Sequence, residues 1–146
     1  MKDIGITKVG ADLEPKTQFA DGLNQTLAVT TVLTIADVGS TIDIATDAKI
    51  MTLPAVGVDT APRGAKITFR NTGADGVALI TITPASGDAV FGTIANAAAD
   101  SVASGTDDES WTNTKATANN GDYTILESDG VTGWYVMGGV GIWASV

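Results

Sequence analysis

Apolar and polar side chains alternate between Ala65 and Arg70, where Ile67 and Phe69 point one way and Lys66, Thr68 and Arg70 the other. A strand with one buried and one wet face requires this period of two. Leu27–Ile35 is β-branched and bounded by Ala36-Asp37-Val38-Gly39, which predicts a half-buried strand and its turn. Further strands are predicted over Thr41–Ile44, Lys49–Leu53, Val77–Thr83, Tyr123–Glu127, Gly133–Met137 and Gly141–Ala144. Asn71–Gly76, with two glycines available for positive φ, reads as a hairpin between the strands on either side of it. Pro54 and Pro62 flank a predicted surface loop, and Pro84 followed by Ala85-Ser86-Gly87-Asp88 stops the strand before it. Residues 94–110 are expected to form a long loop, with a helical turn available at Ala95–Asp100.

Residues 1–26 lack any sustained period. Charges, Gly5, Gly10, Gly22 and Pro15 surround isolated apolar residues such as Ile4, Ile6, Val9, Leu13 and Phe19. This stretch is expected to be an extended N-terminal arm, followed by a β-domain over 27–146. Two readings fit the arm: a segment that orders against a partner at an entropic cost, or a disordered terminus. Strands at regular spacing without helical patterns between them predict an all-β fold, a compact β-sandwich or β-barrel.

Composition supports that class, because Gly, Thr, Ala, Val, Ile and Asp dominate over the strong helix formers. A length of 146 residues suits one domain with a core of its own. The 17 acidic and 8 basic side chains give a net charge of −9, and the positive residues are scattered along the chain. Nucleic acid and anionic membrane surfaces are therefore unfavourable partners, since both are bound by clustered Lys and Arg. The start lacks an apolar signal region, and no apolar run reaches the roughly 18 residues of a membrane span. Synthesis in the cytoplasm is the expectation.

The chain has no cysteine and no histidine. Ser-His-Asp and Cys-His catalysis and imidazole or thiolate zinc sites are thereby excluded, leaving carboxylate chemistry. Asp107-Asp108-Glu109 is the densest acidic group. Paired carboxylates serve as general acid and base or bind calcium, but neither role calls for three consecutive residues in a loop, and a solvated loop is the favoured reading. Asp88 and Asp122 are the first pair to measure for glycosidase spacing. Gly138-Gly139-Val140-Gly141 lacks the Lys-Ser/Thr of a phosphate loop and is assigned to a turn or bulge. Trp134 and Tyr135 must face opposite sides of one strand, so only one can join a sugar-stacking platform, and core packing is favoured for Trp134. Trp143, near the end of the chain, is a candidate anchor at a subunit interface.

The segments Ile50–Ala55, Ile80–Asp88 and Asn113–Tyr123, followed by Gly133–Val136 and Gly141–Ala144, resemble small bacteriophage head decoration (capsid cement) proteins. The resemblance extends over roughly residues 48–146, and related segments occur in phage tail or fibre proteins. The loop at 94–110 is longer than the family pattern. The resemblance implies a β-domain of sandwich, barrel or β-tulip-like form on the capsid surface of a virion, with the major capsid protein as partner and self-association as a homotrimer. No catalytic residue, cofactor or metal is implied, and none is expected from the residue inventory. Ile4, Ile6, Val9 and Phe19 would then carry the arm along a neighbouring subunit by strand addition, with Trp143 at the subunit contact. The alternatives are a tail-fibre or receptor-binding module, carbohydrate-binding in one form, and a carboxylate enzyme.

Overall fold

The structure, a computed structural model, describes residues 24–146. It is all-β, as the strand spacing predicts, with two sheets packed face to face. The strands are β1 (Asn24–Thr26), β2 (Thr31–Val32), β3 (Thr41–Ile44), β4 (Lys49–Thr52), β5 (Lys66–Asn71), β6 (Ile80–Thr83), β7 (Ala89–Ile94), β8 (Ser101–Asp107), β9 (Trp111–Asn113), β10 (Tyr123–Ser128), β11 (Gly133–Val140) and β12 (Trp143–Ser145). One sheet has seven strands in the order β1-β3-β5-β10-β11-β7-β8; the other has five, in the order β12-β9-β6-β4-β2.

The first six strands alternate between the sheets. β1, β3 and β5 pair in parallel in one, and β2, β4 and β6 in the other, so the chain winds around the core from one sheet to the other and back. This winding overturns the hairpin expected at Asn71–Gly76, because β5 and β6 lie in different sheets. Asn71 makes the crossing. Its side-chain oxygen accepts the Gly73 N–H at 2.9 Å, while its amide donates to Asn113 in the opposite sheet at 2.8 Å. Gly73 allows the close approach, since a Cβ there would stand 2.9 Å from that of Ala78.

Leu27–Ile35 is not one strand. Only Thr31–Val32 pairs, and a 3₁₀ turn follows at Ile35–Asp37. Asp37 accepts the Thr34 N–H at 2.7 Å and Thr34 accepts that of Ala36, local bonds that compete with a ladder. The loop expected at 94–110 is largely the hairpin of β7 and β8. Strand β8 buries small residues, Ser101 and Ala103, and exposes Val102 and Ser104, a period of two without the bulk that usually announces one.

The core lies between the sheets and contains Leu33, Ile42, Ile44, Met51, Leu53, Ile67, Phe69, Ile80, Ile82, Leu126 and all three tryptophans. Each buried aliphatic side chain contributes about 2 kcal/mol of transfer free energy. The indoles of Trp111 and Trp143 stack at 6.0 Å, and each indole N–H has an acceptor: Thr124 Oγ1 for Trp111, Pro54 O for Trp134 and Val140 O for Trp143. A buried ring therefore leaves no donor unpaired.

Candidate functional site

The two lateral sides of the sandwich differ. At one, β8 and β12 meet: Ser145 Oγ accepts the Ser104 N–H at 2.8 Å and Ser101 Oγ accepts that of Trp143 at 2.9 Å. Each bond occupies a backbone N–H of an edge strand that would otherwise invite another chain. At the opposite side, β1 and β2 end their sheets, and no described strand pairs outside either of them. Val29, Val32, Ile35 and Ile50 are exposed here, Val32 to 71%.

Beside this open side runs an apolar groove of about 440 Å³ lined by Val32, Leu33, Ile35, Leu53, Pro54 and Ala85, among others. It lies where the parallel strands β2, β4 and β6 end. The described chain begins nearby: the Gln25 amide on β1 donates to Asp37, in the turn that carries Ile35, and to Ser40. Ile4, Ile6, Val9 and Phe19 lie outside the described residues. Trp143 is only 2% exposed, its ring stacked on Trp111 in the core, so as a subunit anchor it is corrected by the packing: it has no free face to offer a neighbour.

A second concavity, of about 430 Å³, opens on the outer face of the seven-stranded sheet and is lined by Arg63, Glu127, Ser128, Asp129, Val131, Tyr135 and Met137. Trp134 and Tyr135 do face opposite ways, Trp134 into the core and Tyr135 outward at 41% exposure. Tyr135 stacks on its cross-strand neighbour Phe91, with ring centres 4.9 Å apart and planes 19° from parallel. Asp129 shapes the rim. Burial opposes its ionisation, but the Thr132 hydroxyl and the N–H groups of Val131, Thr132 and Gly133 outweigh that and hold it well below the usual carboxylate range.

The carboxylates singled out from sequence have structural partners. Asp88 accepts the Val56 N–H at 2.9 Å; burial pushes its pKa up, partly offset by that bond, and Asp129, Asp107 and Asp108 add repulsion. Asp122 accepts from Asn113 and from the Asn119 N–H, both at 3.0 Å. Ala89 pairs with Gly133 and Tyr123 with Val140, so Asp88 and Asp122 sit at opposite ends of the eight-residue β11. Strand geometry separates them by well over about 20 Å, against the roughly 5–9.5 Å of glycosidase pairs. Asp108 accepts the Gly87 N–H at 2.9 Å and Glu109 accepts from Ser104, so the acidic triplet organises a turn. No group of three or more acidic side chains among the described residues is arranged to hold a metal ion.

Gly138 and Gly139 fall within β11, where the pairing with β10 shifts register between Ile125 and Leu126, and Gly141 turns toward β12. The run is therefore a bulge and a turn, as its sequence predicts. Sequence reasoning missed Arg63 and Phe91, which are far from Tyr135 along the chain and gain meaning only through strand order. No family model, no curated protein and no solved structure matches this chain.

Proposed function

We propose that this chain is a non-enzymatic structural protein of a bacteriophage virion, a decoration or cement protein that binds the outer surface of the capsid and stabilises the shell. The resemblance over residues 48–146 suggests the class, and the observation that carries the reading is the contrast between the β8/β12 side, where the two edge strands bond to each other, and the apolar β1/β2 side, beyond which no described strand pairs. An extended segment of the major capsid protein adds to the edge at β1, where main-chain hydrogen bonds supply affinity and the apolar groove takes alternate side chains. Ile4, Ile6, Val9 and Phe19, outside the described residues, are the candidates to extend the contact onto a neighbouring subunit. Trimers at local threefold axes cover the seams between capsid proteins, and the net charge of −9 keeps the knob off the packaged DNA.

The test is binding of the purified protein to expanded, undecorated capsids. Saturable binding with a raised disruption temperature of the shell is expected, and the double variant Val32→Glu/Ile35→Glu should lose at least tenfold in affinity while keeping the wild-type circular dichroism. Electron cryomicroscopy of the parent virion gives the decisive negative: density for this chain on tails, with none on heads, refutes the reading.

A further inference from the structure

The concavity around Tyr135 is distinct from the open β1/β2 side, and its chemistry is that of a ligand site. Three features define it. First, Phe91 covers one face of the Tyr135 ring and holds it upright on the sheet, while Tyr135, with Glu127 as its cross-strand neighbour on the other side, lines the cavity. A ring braced in this way offers an apolar surface at little entropic cost.

Second, hydrogen-bonding capacity remains at both ends of that surface. Arg63 lines the cavity without an ion pair or side-chain hydrogen bond to any described residue, leaving its guanidinium donors available. Glu127 is held through Oε2 by Lys66 at 2.6 Å, and its Oε1 remains free to accept. Ser128 and Asp129, in contrast, are committed to the scaffold: Ser128 Oγ donates to Ala61 O at 2.7 Å and accepts the Gly130 N–H, and Asp129 is saturated by its own turn.

Third, the local charges cancel. Arg63 and Lys66 balance Glu127 and Asp129, so the site has no bias toward an anion, and the chain's charge of −9 disfavours a nucleotide, whose base would otherwise suit the ring. A ligand with one flat apolar face and a rim of hydroxyls, each both donor and acceptor, matches all three features.

We propose that this cavity binds a neutral saccharide, with a pyranose ring lying on Tyr135, its hydroxyls donating to Glu127 and accepting from Arg63. The site gives the protein a second partner, glycan on a surface the particle meets, and it does not depend on capsid attachment. A cavity of about 430 Å³ suits one or two sugar units.

The experiment is a glycan array carrying glucose-, galactose- and mannose-terminated neutral oligosaccharides beside sialylated and uronic-acid glycans, probed with the purified full chain and followed by titration calorimetry on the best hit. Binding to at least one neutral glycan is expected, falling at least tenfold in Tyr135→Ala and in Arg63→Ala and persisting in Tyr135→Phe, with unfolding midpoints measured for all three. Binding equal to wild type in a folded Tyr135→Ala, binding to acidic glycans alone, or no binding to any glycan overturns the proposal. Capsid affinity of Tyr135→Ala should equal that of wild type, so failure at this site and failure of the cement reading are separately visible.

Discussion

Asn113→Asp exchanges two atoms of nearly equal size at the centre of a buried polar bridge between the sheets. Asn113 accepts from Asn71 at 2.8 Å and donates to the Asp122 carboxylate at 3.0 Å and to Ile142 O at 3.1 Å, and all three side chains are buried. The aspartate still accepts from Asn71 but loses both donor bonds, and its carboxylate faces that of Asp122. Each buried partner left unsatisfied costs about 1–3 kcal/mol, and the carboxylate pair adds repulsion, for a total of about 3–5 kcal/mol. That is a large part of the roughly 5–15 kcal/mol by which a domain of this size is stable. Urea unfolding of both proteins at pH 7 measures it. A loss below about 1 kcal/mol refutes the bridge as a determinant of the fold.

Asp88→Asn should stabilise the protein at neutral pH, because burial raises the folded-state pKa and so makes ionisation costly, while the amide oxygen still accepts the Val56 N–H. The gap should close as pH falls toward about 4, and a thermal midpoint below wild type at pH 7 contradicts this. Gly133→Ala places a Cβ 2.1 Å from Ala89 O in the parallel β7–β11 ladder and should cost about 3 kcal/mol or more, read from chemical denaturation of whatever soluble protein remains. Trp143→Ala should destabilise the isolated chain by about 3–5 kcal/mol through loss of the stacked core indole. Unchanged unfolding in that variant, with only self-association lost, would return Trp143 to a subunit interface.

The alternation in β5, the β-branched runs and the glycine and aspartate turns determine by themselves that this chain is all-β, because strand period and turn chemistry are local properties. The opposed directions of Trp134 and Tyr135 follow from the same local geometry, as does the structural fate of Gly138-Gly139-Val140-Gly141. Pairing was decided by tertiary structure alone. Asn71–Gly76 has the composition of a hairpin, yet Asn71 spends its side chain on Gly73 and Asn113 and carries the chain across to the other sheet. Strand β8 was hidden because the residues it buries, Ser101 and Ala103, are small and carry no apolar signal in the sequence. Trp143 has the same sequence context whether it is core or surface, and only the position of β12 beside β9, with Trp111 against its ring, made it core. The contrast between a sealed and an open side, and the meeting of Arg63, Glu127 and Tyr135, depend on strand order across distant segments, a property that no local pattern encodes.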